Sequence, residues 1–247
     1  MSSFDFDYWH IKILYDLSGY IVAFAVTWFF YRKVLSKHEL PNPFESKEQK
    51  WEYYLYVIAG AMFGGMIIST FDGAMIPGRN PEGGMLISKS IAGALFGGII
   101  TAEFYKYSNH IKTPTGILFL PGIVLGVLVG RIGAIMTGLR DFTYGLPTSL
   151  PWGIDFGDGI TRHPTMIYEM LLLAIFFVIF CIGLYSKHRK WWITNGFYVF
   201  IIVYFLYRFS VGFIQPYSTW WLGLSTYQVI AIPMVMYGLW MIKKYNS

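Results

Sequence analysis

Charge is what this sequence has least of. Only 13% of its 247 residues are Asp, Glu, Lys or Arg, against roughly 25% in a water-soluble domain. With 55% apolar residues and a mean hydropathy of +0.48, a fold wetted on all sides is excluded and lipid must cover most of the surface. Cysteine is nearly absent. The single Cys181 sits in an apolar run, which excludes a disulfide framework and a thiolate metal site and leaves it as a small hydrophobe. A cleavable leader is not expected either. Residues 1–11 hold Asp5 and Asp7 instead of a basic region, and no A-x-A site follows the first apolar run, so that run is expected to remain as a helix.

What the sequence does have is long apolar segments. Seven of them, near 13–34, 53–71, 85–105, 116–137, 164–186, 192–214 and 227–242, match the ~20 residues that cross a bilayer as a helix. The second and third are rich in glycine (Gly60, Gly64, Gly65; Gly93, Gly97, Gly98), which favours close helix–helix packing over any phosphate loop. Trp191–Trp192 and Trp220–Trp221 mark segment ends, as interfacial aromatic belts do. The expected fold class is therefore an all-α integral membrane protein of about seven transmembrane helices, forming one membrane domain over residues 1–247.

The net charge of +5 is distributed by topology. One set of alternate loops holds Arg32, Lys33, Lys37, Lys47 and Lys50, then Lys106 and Lys112, then Lys187, Arg189 and Lys190, then Lys243 and Lys244. The other set holds only Lys12, Arg79, Arg140 and Arg162. The positive-inside rule places the N-terminus outside and the C-terminus in the cytoplasm, and no nucleic-acid partner is expected. Two loops on the outer side, residues 72–84 and 138–163, are rich in Gly, Pro, Asp and Trp. The second is long enough to be a structured, functional element.

Ionisable residues inside spans are costly and mark function. Arg131, Glu169 and Arg208 lie in three different spans, about six, five and six residues from the outer end. At ~1.5 Å per residue that is one shared depth, roughly 8–9 Å below the outer interface. Tyr15 of the first span is near the same depth. Lys89 is read as an interfacial lysine, and Glu103 as solvated at the cytoplasmic end. A guanidinium holds its charge and grips phosphate with a planar fork, and an outer-leaflet phospholipid headgroup lies at about this depth. Tyr204 and Arg208, spaced i and i+4, share a helix face. Pro164 suits a first helical turn, so Arg162 and His163 precede a helix N-terminus, where anions are welcome.

These residues resemble the bacterial prolipoprotein diacylglyceryl transferases. The likeness rests on Gly130-Arg131-Ile132-Gly133, Gly138, Gly145 and Leu150-Pro151-Trp152-Gly153. It continues through Arg162-His163-Pro164, Tyr168-Glu169, Tyr204 with Arg208, and Gln215-Pro216. The resemblance implies an enzyme of the bacterial inner membrane. It would move the diacylglyceryl group of phosphatidylglycerol to the lipobox cysteine of a lipoprotein precursor, with no metal and no soluble cofactor. Carried over, Arg131 and Arg208 would bind the phosphate, with His163 or Glu169 as base. Tyr15, Gly145, Arg162, Tyr168 and Tyr204 would bind substrate. The chain also departs from the family pattern. The His-Gly-Gly of the third span, linked in the family to thiol activation, is Ala92-Gly93-Ala94 here. The Asn after the GRIG text is Ala134, the following Asn-Gly-Glu is Thr137-Gly138-Leu139, and a Gly-Gly-Arg in the second span is Gly64-Gly65-Met66. The alternative these departures raise is a non-catalytic lipid- or lipoprotein-binding relative acting within a membrane assembly. A transporter is disfavoured because the charges gather at one depth and no inverted repeat is evident.

Overall fold

The computed structural model describes residues 3–35, 43–75 and 90–247. Lys37, Arg79, Lys89, most of the 72–84 loop and the start of the 85–105 segment lie outside the described residues. Seven long helices dominate: α1 (Ser3–Phe29, continued by a π-helical turn to Leu35), α2 (Lys47–Met75), α3 (Ile91–Ser108), α4 (Leu120–Thr137), α5 (Thr165–Tyr185), α6 (Arg189–Val211) and α7 (Thr226–Asn246). Two short antiparallel hairpins interrupt the helical pattern, β1 (Ile154–Asp155) with β2 (Thr161–Arg162) and β3 (Thr219–Trp221) with β4 (Leu224–Ser225).

Among the described residues, five helices are long and apolar enough to cross a membrane, over Ile13–Val34, Lys47–Thr70, Leu120–Arg140, Thr165–Tyr185 and Arg189–Ile214. The sequence reading expected seven. The other two helices carry polar groups that lower their mean, Glu103 and Lys106 in α3 and Gln228, Lys243 and Lys244 in α7.

Helix α5 shows what surrounds the bundle. Leu173, Phe176, Phe180 and Leu184 are buried against neighbours, while Leu171, Ile175, Val178 and Ile182 on the other face are exposed. A helix apolar all round with one bare face is built for lipid, not water.

Two helix pairs are held by glycine. In α2 and α3, a Cβ added to Gly97 would come 2.2 Å from the Gly60 carbonyl oxygen, and one on Gly64 would come 2.5 Å from that of Gly93. In α1 and α4, a Cβ on Gly122 would stand 2.5 Å from the Ala23 carbonyl, and one on Gly19 2.9 Å from the Gly126 carbonyl. Lipid tails are as apolar as leucine, so burial alone does not drive such pairs together. Van der Waals contact and close backbone approach do. Ser90 caps α3, its Oγ accepting from the Gly93 N–H at 3.1 Å, and Ser225 with Gln228 forms a capping box on α7.

The helices leave two unlike ends. One carries the 138–164 and 212–225 connections with both hairpins, and is the loop-rich end. At the other end, side chains form a polar layer. Tyr53 Oη and Thr115 Oγ1 are 2.7 Å apart, and Tyr105 donates to the Gln49 carbonyl and Glu52. Glu103, read from sequence as solvated, is half-buried there and accepts from Lys106 Nζ at 2.9 Å and Tyr237 Oη at 3.0 Å.

Candidate functional site

Helices α4, α5 and α6 bring their charged residues together near the loop-rich end. Arg131 Nη2 lies 2.8 Å from Glu169 Oε2, and Arg208 Nη1 lies 3.8 Å from the same oxygen. Tyr204 Oη donates to Glu169 Oε1 at 3.1 Å. The carboxylate is 2% exposed, and the Arg131 and Arg208 side chains 11% and 6%. The common depth counted from the sequence is therefore a contact. The i, i+4 spacing of Tyr204 and Arg208 aims both at one glutamate.

Glu169 has both oxygens occupied by these partners, which fixes the guanidiniums in place. Arg208 keeps donor capacity: among the described residues its buried Nε has no hydrogen-bond partner. The Tyr227 ring lies beneath it, 4.6 Å from the guanidinium carbon, and Tyr217 packs on Tyr227 at 5.1 Å. A cation on an aromatic face holds its position without losing its donors.

A cavity of about 610 Å³ opens onto this cluster. Its loop-rich half is lined by Tyr15, Asp16, Arg131, Tyr204, Arg208 and Tyr227. Its middle is walled by small residues such as Gly98, Ala94 and Gly126, and its far end by Tyr53, Thr115, Glu103 and Tyr237. The volume falls in the ~300–1,000 Å³ range of small-molecule sites. Ala92, Ala134 and Thr137, where the family pattern has His, Asn and Asn, also line it.

The remaining predicted residues form a scaffold around the mouth. Gly145 is buried where two backbones meet: its N–H donates to the His163 carbonyl at 2.8 Å, and a Cβ there would lie 2.6 Å from that of His163. His163 donates its own N–H to the Leu146 carbonyl at 3.1 Å, and its Nδ1 is 3.2 Å from Tyr168 Oη. Tyr168 Oη also accepts from Trp152 Nε1 at 2.9 Å, tying the loop to the first turn of α5. Neither His163 nor Tyr168 is among the residues lining the cavity.

Arg162 does not greet an anion at the α5 N-terminus. Its Nη1 and Nη2 grip Asp158 at 2.6 and 2.7 Å within the β1–β2 hairpin. That guanidinium holds the Asp158 carboxyl below its ordinary range, and the carboxylate in turn raises Arg162. Gln215 bridges the loops, donating from Nε2 to the Thr143 carbonyl and to Thr165 Oγ1, each at 3.3 Å. Thr165 donates to the same Thr143 carbonyl.

Sequence reasoning missed Asp16, Tyr217 and Tyr227. Asp16 carried a usable signal, an acid inside an apolar segment. The two tyrosines gave none, because aromatics crowd every interface of this chain.

The phosphatidylglycerol–prolipoprotein diacylglyceryl transferase of Solidesulfovibrio magneticus is 30% identical over 130 residues, covering 48% of this chain and 46% of that protein. That of Finegoldia magna is 33% identical over 130 residues, covering 53% and 50%, and that of Polynucleobacter necessarius is 29% identical over 134 residues, also covering 53% and 50%. The chain spans about half the length of the curated relatives it matches. The family model for prolipoprotein diacylglyceryl transferase matches residues 11–243, and the chain belongs to that family.

Proposed function

We propose that this protein transfers the diacylglyceryl group of phosphatidylglycerol to the lipobox cysteine of a lipoprotein precursor, at the outer side of the bacterial inner membrane. The observation that carries the reading is the pair Arg131 and Arg208, buried at one end of a 610 Å³ cavity and locked by one glutamate. On this reading the loop-rich end faces outward, an orientation that the Lys and Arg distribution supports.

The lipid phosphate would sit against the two guanidiniums, with the unpartnered Arg208 Nε as one donor. Its acyl region would lie in the small-residue middle of the cavity. Attack by sulfur on the glyceryl carbon breaks a carbon–oxygen bond and leaves a second negative charge on the departing phosphate. Fixed cations already in place meet that charge without reorganising, which is the most effective form of transition-state stabilisation available to a buried site. Tyr204 and Glu169 act through the arginines by holding them.

The test is transfer of radiolabelled diacylglyceryl from phosphatidylglycerol to a lipobox peptide by the purified protein. Arg131→Ala should abolish it. A folded wild-type protein that binds phosphatidylglycerol but transfers nothing would sink the reading and favour a binding subunit.

A further inference from the structure

We propose that the carboxylate of Asp16 is the base that takes the proton from the acceptor thiol. The inference rests on the transfer reading above and adds the group that this chain would use in place of the absent third-span histidine. At the corresponding position Ala92 is apolar, as is Ala134, and both face the cavity. A thiol attacks as thiolate, so some group in the cavity has to receive its proton.

The contacts of α1 with α4 fix where Asp16 stands. A Cβ on Gly122 would meet the Ala23 carbonyl, one on Gly19 would meet the Gly126 carbonyl at 2.9 Å and the Gly130 nitrogen at 3.6 Å, and one on Gly133 would lie 2.5 Å from the Tyr15 Cβ. The two helices are thus antiparallel. Each step along α1 toward its N-terminus is matched by a step along α4 toward its C-terminus. Asp16 falls between Gly19 and Tyr15, level with the stretch between Gly130 and Gly133, and therefore level with Arg131. Asp16 lines the cavity together with Ile13, Tyr20 and Ala23 at three- and four-residue spacing; Ile13 and Tyr20 are more than half exposed, so this helix face borders the cavity's open side.

The other acids and bases are placed elsewhere. Glu169 is held by both arginines and Tyr204 and is not a lining residue. His163 is engaged with Tyr168 outside the lining. Glu103 lines the far end, about 18 Å along α3 from Ile91 at 1.5 Å per residue. Among the described residues, Asp16 is the one carboxylate that lines the cavity at the level of the arginines.

The step balances in atoms and charge. The S–H bond breaks and its proton passes to an Asp16 oxygen. The sulfur forms a bond to the glyceryl carbon as the bond from that carbon to the phosphate oxygen breaks, and glycerol phosphate leaves with the electron pair. Beforehand Asp16 and Glu169 together match Arg131 and Arg208. Afterwards Asp16 is neutral, and the charge it gave up appears on the phosphate, beside Arg131 and Arg208. The monoester, whose second ionisation lies near pH 6 in phosphorylated side chains, can then carry the proton out.

The experiment compares two acceptors, a lipobox peptide with cysteine and the same peptide with selenocysteine, whose selenol is already ionised at neutral pH and needs no base. Asp16→Asn should slow transfer to the cysteine peptide by about 10²–10⁴-fold, the usual worth of general base catalysis. Transfer to the selenocysteine peptide should stay within about tenfold of wild type, and phosphatidylglycerol should still raise the melting temperature of the variant. Equal losses with both peptides, or wild-type transfer to cysteine, overturn the assignment. Should Asp16→Asn not fold, Asp16→His supplies an acceptor again, and the same two peptides decide: a slower rate by one common factor overturns it, and transfer to cysteine restored toward wild type supports it. A wild-type protein inactive on both peptides removes the transfer reading itself, and this inference with it.

Discussion

Arg131 and Arg208, from two different helices, converge on a single oxygen of Glu169, which lies 2.8 Å from one guanidinium and 3.8 Å from the other. A buried ion pair contributes little net stability compared with apolar packing. Removing the shared partner is another matter, because it leaves charge uncompensated away from water.

Glu169→Gln should therefore destabilise the fold by about 3–5 kcal/mol. Thermal denaturation in detergent reads this out. A melting temperature equal to wild type would mean that the arginines find another counter-charge and that Glu169 does not organise them.

Tyr204→Phe deletes the hydroxyl that donates to Glu169 Oε1. The buried acceptor left behind costs about 1–3 kcal/mol. Transfer should fall with little change in donor affinity, since the arginines remain but are less firmly aimed. An unchanged turnover number would remove Tyr204 from the site.

The glycines of α2 and α3 separate into two groups. Gly97→Leu forces a side chain into the Gly60 carbonyl, 2.2 Å from the added Cβ, and should abolish recovery of folded protein. Gly98→Ala places its Cβ 3.5 Å from the Ala61 Cβ, an ordinary contact, and should leave the melting temperature nearly unchanged. Size-exclusion profiles of detergent extracts separate the outcomes, and equal behaviour would contradict the packing described.

The β1–β2 hairpin should respond to acid. Asp158 has its carboxyl lowered by Arg162, so the folded hairpin binds its proton less readily than the unfolded chain. The stabilisation is fully present above the ordinary carboxylate range, near pH 4, and is lost as pH falls through the lowered value. Limited proteolysis between Ile154 and Arg162 should accelerate only on that acid side, and Asp158→Asn should remove the pH dependence.

Much of the site could be read in the sequence because helical rise is regular. Counting residues from span ends put Arg131, Glu169 and Arg208 at one depth, and the structure joins them. The same count gives Asp16, next to Tyr15, the same depth; that it lines the cavity follows only from the register of α1 on α4. The partner of Arg162 was not legible for a local reason: it is Asp158, four residues back in a hairpin whose turn the sequence does not announce. Glu103 was taken for solvated because Tyr237, its partner, lies on a helix distant in sequence. Gly145, given to substrate binding by the resemblance, has no side chain at the point where residue 163 approaches, a packing role the sequence alone does not announce.

The glycine contacts close α1 on α4 and α2 on α3, and Gly19, Gly122 and Gly126 of the first seam also line the cavity. Ala92 and Ala134 face the same cavity and make none of these glycine contacts, whereas Ala94 packs on Gly65 in the second seam. Affinity for a new headgroup or a new acceptor can therefore be rewritten at Ala92 or Ala134, while the glycine contacts that hold the helices together are left untouched.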